Sequence, residues 1–155
     1  MNEIAIVILN YNTWEDTLLE INICKNVLGV NPKNIIVIDN DSPNNSYEVL
    51  QSYKNIGFKL IKASNNKGYA AGNNLGMKYA LENGYSYALI LNNDILIKNK
   101  YFISEMLNTF RKDTSIAIVS PRVYTPEGKE FSKNSVRPTF LDFTFFYNRY
   151  RKKVE

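Results

Sequence analysis

Apolar and polar positions along this chain fall into short segments of alternating character. Residues 4–9 are an uninterrupted β-branched apolar run, the mark of a strand buried on both faces. Trp14, Leu18, Ile21 and Cys24 then recur at helical spacing, with Thr13 placed to cap that helix and Asp16 three residues further on. Residues 34–39 are a second apolar run, and Asp41-Ser-Pro-Asn-Asn45 is turn chemistry. A short helix over 46–53, a strand over 58–61, a helix over 71–81, a strand over 87–91, a helix over 100–110 and a fifth strand over 116–119 complete the pattern. Asn83-Gly84 and Pro126-Glu-Gly128 mark turns, the second closing a hairpin between 122–124 and 130–132. Strands alternating with helices predict a largely parallel, doubly wound α/β sheet with right-handed crossovers.

Ligands of such sheets bind outside the carboxyl ends of the strands. Those ends carry Asn10-Tyr11-Asn12, Asp39–Asp41, the loop 64–74 and Asn92-Asn93-Asp94. Two apolar strands that stop abruptly in acids and amides point to a nucleotide diphosphate held with a divalent cation. Tyr11 flanked by amides suits stacking on a base, or else a polar loop whose amides satisfy the turn. Asp41 and Ser42 suit the cap of the following turn, which leaves Asp39 for ligand. Gly68 and Gly72 permit backbone geometry and close approach forbidden to other residues, and the loop runs into a helix whose free N–H groups can meet an anion. Gly76 lets that helix pack closely on the sheet. The amides Asn65, Asn66, Asn73 and Asn74 either line a ligand or cap the loop. Asp94 is a single carboxylate, an ordinary arrangement for Mg²⁺ when substrate phosphates and waters complete the shell.

Composition narrows the chemistry. The 155 residues contain no histidine, which removes Ser-His-Asp and Cys-His catalysis and the usual zinc sites. A metal must then be held by oxygen, hence Mg²⁺ or Mn²⁺. Cys24 is the single cysteine, excludes an internal disulfide and suits inert packing. The net charge of +4 is dispersed until the last positions, so no nucleic-acid partner is expected. No apolar run approaches the ~20 residues that span a bilayer, and the amino terminus lacks a signal-peptide pattern, so the expected location is cytoplasmic. Phe140, Phe143, Tyr147 and Tyr150 share a helical face followed by basic residues. Residues 139–153 therefore make a peripheral contact with the inner membrane face, or else pack against protein.

Four motifs together, Ile6-Val-Ile-Leu-Asn-Tyr-Asn-Thr13, Val37-Ile-Asp-Asn-Asp-Ser42, Asn66-Lys-Gly-Tyr-Ala-Ala-Gly-Asn-Asn-Leu-Gly76 and Leu89-Ile-Leu-Asn-Asn-Asp94, resemble the family 2 glycosyltransferases of the GT-A fold, closest to the rhamnosyltransferase-like branch. The resemblance covers about the first 125 residues and implies a nucleotide-sugar-binding core over 1–125, with a hairpin and an aromatic, basic acceptor-side segment over 126–155. It implies inverting transfer from a UDP- or dTDP-sugar, dTDP-rhamnose among them, to a glycan or lipid-linked acceptor. By position it places Tyr11 on the base, Asp39 on the base edge, Asn66, Gly68 and Asn74 near ribose and diphosphate, Asn93 near the ribose and Asp94 on the metal. Asn10, Asn12, Asp41, Gly72 and Asn92 complete the predicted donor site. Amides replace the earlier acids of the family's acidic motif. No acidic pair matching the family's base follows Pro121, so the sequence reads as a donor half whose base lies beyond Glu155. The alternative is a nucleotide-sugar-binding module without catalysis. A nucleotidyltransferase is disfavoured because Asn10-Tyr11-Asn12-Thr13 is not a glycine- and lysine-rich phosphate loop.

Overall fold

A computed structural model describes residues 3–130. The chain divides into two compact units, Met1–Asn108 and Thr109–Glu155. In the first, β1 (Ile4–Asn10), β2 (Ile35–Asp39), β3 (Lys59–Lys62) and β4 (Tyr87–Asn92) form one parallel sheet in the order β3-β2-β1-β4. Helices α1 (Trp14–Asn26), α2 (Ser46–Ser52) and α3 (Tyr69–Glu82) are the crossovers, and α4 (Phe102–Lys112) follows β4.

Strand position explains strand composition. All five residues of β2 are buried, as a central strand covered on both faces requires, whereas the edge strand β3 exposes Lys59 and Lys62. Alternate residues divide the core into two layers. Ile6, Ile8, Ile35, Val37 and Leu91 pack with Ile21 and Cys24 of α1 and Leu50 of α2. Ala5, Val7, Ile36 and Ile38 face Ala80 of α3. That second layer is thin because α3 lies close to β1. A Cβ on Gly76 would overlap Val7, and one on Gly72 would overlap Leu9 and crowd the Asn40 side chain. Both glycines therefore serve close approach. Gly76→Ala is expected to destabilise the chain by about 1–3 kcal/mol in urea unfolding. The helix-propensity gain of about 1 kcal/mol works against this, and a net stabilisation would show that α3 has room to retreat.

Three expectations are corrected. Helix α3 starts at Tyr69 rather than 71, because Gly68 takes φ +88 and turns the chain into the helix earlier. In α1 the predicted spacing holds, with Ile21 and Cys24 in the core and Trp14 and Leu18 partly buried against it, and Thr17 and Glu20 are buried beside them. Residues 116–119 are not a strand among the described residues. Ile118 is 86% exposed, and an apolar run without a partner strand has no ladder to join. The predicted hairpin is a single antiparallel bridge, Tyr124 to Glu130, closed by Gly128 N–H donating to the Thr125 carbonyl. Positions 131–132 and the aromatic, basic segment 139–153 lie outside the described residues. No described helix is long and apolar enough to cross a membrane.

Candidate functional site

The carboxyl ends of all four strands lie along one edge of the sheet. Asn10 stands beside Asp39, Leu9 beside Asn92 and Asp39 beside Lys62. Strand order reverses at β1: the chain goes first to β2 on one side and later to β4 on the other. The crevice of such a sheet opens between the loops at that reversal, here Asn10–Thr13 and Asn92–Asp94.

Side-chain hydrogen bonds tie these loops into one rim. Asn10 is fully buried; its Nδ2 donates to Asp39 Oδ2 at 2.7 Å, and its Oδ1 accepts from Thr17 Oγ1 at 2.9 Å. Asp39 is also fully buried and accepts two further bonds, from Ser42 N at 3.0 Å and Ser42 Oγ at 2.8 Å. Asp39 itself therefore holds the turn that Asp41 and Ser42 were expected to cap. Asp41 adopts φ +59, is half-buried, and its carboxylate makes no hydrogen bond among the described residues. Asn12 also takes a positive φ, +65; its N–H donates to Ser42 Oγ and its carbonyl accepts from Asn44 Nδ2. Between Asn10 and Asn12, Tyr11 is 45% exposed. In that triplet the ring faces solvent and the first amide is internal.

The second loop is held from two sides. Asn93 Nδ2 donates to Thr13 Oγ1 at 2.7 Å, to Thr17 Oγ1 at 3.0 Å and to the Thr13 carbonyl at 3.3 Å. Thr13 occupies the N-cap position of α1, yet makes no side-chain cap bond; its hydroxyl serves Asn93 instead. The Tyr69 hydroxyl donates to Asn92 Oδ1 at 2.7 Å, joining the start of α3 to the end of β4. Asp94 is exposed, and its carboxylate makes no hydrogen bond among the described residues.

The glycine loop closes the third side. Asn66 Oδ1 accepts from Gly68 N at 2.9 Å and from Asn40 Nδ2 at 3.0 Å. No side chain caps the first turn of α3, so its leading N–H groups remain available to an anion. Asn74 is exposed on α3, while Asn73 turns inward. Buried Asn40 Oδ1 and Asn73 Oδ1 have no partner.

The sequence reading missed Thr17 and Glu20, took Ser42 only as a turn cap, and included Asn40 and Tyr69 in the rim segments without a role of their own. Thr17 and Glu20 carried a readable signal, since both lie on the turns of α1 that must face the core. Glu20 is 1% exposed and its contact is weak, Cys24 Sγ donating to Oε1 at 3.9 Å. Burial, with a smaller push from the Asp94 charge, raises its carboxyl from 4.5 to about 7, the thiol only partly offsetting this. Burial and the neighbouring Glu20 push the Cys24 thiol up to about 12, which suits the inert role expected of it.

Among the described residues, no three of His, Cys, Asp and Glu form a group able to hold a metal. The set at the rim nevertheless fits a hard cation shared with a diphosphate. It offers the exposed, unengaged Asp94 carboxylate, preceded in sequence by Asn93, whose amide nitrogen is held by Thr13 and Thr17, and leaves the rest of the shell to phosphate oxygens and waters.

Comparison with known proteins adds the following likenesses. The sequence profile described as glycosyl transferase family 2 matches residues 5–155. The low-salt glycan biosynthesis hexosyltransferase Agl10 of Haloferax volcanii is 34% identical over 129 residues, 83% of this chain and 39% of that protein. Among solved structures, S. aureus TarS 1-349 superposes with a TM-score of 0.54 at 18% identity, over 72% of this chain and 33% of that one. The same protein in complex with UDP-GlcNAc gives 0.54, and in complex with UDP 0.53. The chain thus spans about two fifths of that curated relative and a third of those solved chains. At this identity the structural likeness shows the fold alone, that of the GT-A glycosyltransferases.

Proposed function

The chain belongs to glycosyl transferase family 2, and on that premise we propose that the first compact unit builds the donor side of a hexosyl transfer from a nucleoside diphosphate sugar. One observation carries the reading. The tips of β1, β2 and β4 and the start of α3 are bonded into a single rim, on which the Asp41 and Asp94 carboxylates stay unengaged. The TarS complexes with UDP and UDP-GlcNAc support a uridine nucleotide, and the branch resemblance of the sequence keeps dTDP-sugars, dTDP-rhamnose included, as candidates.

The exposed Tyr11 ring offers a face to the base. Asp39 is fully buried with three protein donors for its roughly four acceptor sites, so a ring N–H of uracil or thymine takes the fourth only once the strand tips part. Asn66, Gly68, Asn74 and the uncapped turn of α3 border ribose and pyrophosphate. Asn92 has its oxygen held by Tyr69 and so offers N–H donors, which suit phosphate oxygens. Asp94 would hold Mg²⁺ or Mn²⁺, whose charge offsets the negative charge that develops on a departing diphosphate.

The reaction is a displacement at the anomeric carbon with inversion. The bond from the acceptor oxygen forms as the bond to the diphosphate breaks, and the nucleoside diphosphate leaves with the electron pair. A carboxylate outside residues 3–130 takes the acceptor proton, the acceptor being a glycan or lipid-linked hydroxyl. Titration with UDP and dTDP, with and without Mn²⁺, tests the donor half. The wild-type chain should bind one of them more tightly with Mn²⁺, and Asp94→Asn should reduce that gain at least about tenfold. Failure of the wild type to bind either nucleotide would overturn the reading.

A further inference from the structure

The hydrogen bonds of the rim form a directed series whose polarity is set at one end. Asp39 accepts only, so the Asn10 amide must turn Nδ2 toward it, at 2.7 Å. Asn10 Oδ1 then faces Thr17 and needs a donor, which the Thr17 hydroxyl supplies at 2.9 Å. The same hydroxyl lies 3.1 Å from the Thr13 carbonyl, one turn back on its own helix. With its proton directed to these acceptors, Thr17 Oγ1 keeps lone pairs for Asn93, whose Nδ2 donates to it at 3.0 Å. Asn93, which precedes Asp94 in sequence, is thereby tied to α1. Thr17 is wholly buried on α1, and neither its position nor its burial makes it a ligand contact. These bonds reach across 29, 7 and 76 residues of sequence, joining β2 to β1, β1 to α1 and α1 to the end of β4.

We infer that Thr17 is a positioning residue that couples the base end of the crevice, at Asp39, to its metal and pyrophosphate end, at Asn93-Asp94, by bonding Asn10 and Asn93 through one buried hydroxyl. Without the Thr17 hydroxyl, Asn10 Oδ1 loses its donor and Asn93 keeps only Thr13 as acceptor, through its hydroxyl and carbonyl. The loop that carries Asp94 is then tied to α1 only through the N-cap residue of that helix. Asp94 is the carboxylate read as the cation's ligand, so the cation-dependent part of nucleotide binding suffers most. This inference rests on the nucleotide-sugar reading for its ligand but not for its geometry.

The test compares Thr17→Val, which keeps the shape and removes the hydroxyl, with Thr17→Ser, which keeps the hydroxyl. In the full chain without ligand, the side-chain amide protons of Asn10 and Asn93, followed by NMR, should exchange about tenfold faster in Thr17→Val and at near wild-type rates in Thr17→Ser. In UDP and dTDP titrations, the Mn²⁺-dependent gain in affinity should fall about tenfold in Thr17→Val, while metal-free affinity changes no more than about twofold. Thr17→Ser should restore the gain. A purely structural role would lower both affinities together and leave their ratio intact, and that result overturns the inference. Unchanged amide exchange in Thr17→Val overturns it as well. Should the wild type bind neither nucleotide, the donor-site reading falls, while the exchange measurement still decides the hydrogen-bond series.

Discussion

Asp39→Asn is expected to lower stability by roughly 3 kcal/mol and to abolish nucleotide binding, although it changes one oxygen to one nitrogen. The carboxylate lies fully buried among three donors: Asn10 Nδ2, Ser42 Oγ and the Ser42 backbone N–H. An amide brings a donor into that group whichever way it turns. Placed at Oδ1, it faces a backbone N–H that cannot reverse. Placed at Oδ2, it faces Asn10 at 2.7 Å, and Asn10 can reverse only by presenting a donor to Thr17. The conflict then passes to Asn93. Hydrogen bonds to a charged group contribute about 1.5–3 kcal/mol each, and an unsatisfied buried donor costs a similar amount. The control is Asp41→Asn, where a half-buried carboxylate without a hydrogen bond sits at a left-handed position that asparagine tolerates. It should change stability by less than about 0.5 kcal/mol. Urea unfolding of both variants, with UDP and dTDP titrations, makes the comparison. Equal stability of Asp39→Asn and wild type would mean that the Asp39 cluster does not hold the β1 and β2 tips.

The second large effect is a pH dependence centred on Glu20. Its carboxyl is raised from 4.5 to about 7, chiefly by burial, against the opposing hydrogen bond from the Cys24 thiol and with a lesser push from Asp94. The native state therefore binds this proton more tightly than the unfolded chain. Unfolding between these two values releases a proton, so the contribution of Glu20 to stability is full below 4.5 and is lost as pH rises through 7. The loss is on the order of 3 kcal/mol over the window. Glu20→Gln keeps an acceptor for the thiol and cannot ionise. It should remove this part of the slope and be more stable than wild type by a similar amount at pH 8. Unfolding should be measured across pH 4–8 with a chelator present, because a cation at Asp94 would lower the Glu20 value. Superimposable profiles for wild type and Glu20→Gln would show that the carboxylate reaches solvent when it ionises.

Most of the sheet and its crossovers were legible in the sequence because their signals are local. Apolar β-branched runs at 4–9 and 34–39 are what a strand covered on both faces needs, and both are central strands. Gly76 was legible for the same kind of reason, since a helix that lies on a parallel sheet needs a small residue where it touches Val7. The fifth strand was not, because an apolar run at 116–119 becomes a strand only if another strand is there to pair with it. The apolar spacing of α1 was legible too, but not the two bonds that buried Thr17 on the same helix makes to Asn10 and Asn93, because such pairings leave no mark on a hydropathy pattern.

The order of residues along the chain was enough to settle that strands and helices alternate, that the strands run parallel, and that amides and acids collect at one edge. Those are consequences of periodicity and of short crossovers, readable within a window of a few residues. Which of those polar groups the protein consumes internally was settled by folding. Asp39 is enclosed and Asp41 left open, Asn10 turned inward and Tyr11 outward, and Thr13 diverted from its helix to Asn93. The physical reason is saturation. A donor or acceptor is free or engaged according to partners that stand as far as 80 residues away in sequence and arrive only when the strand tips meet.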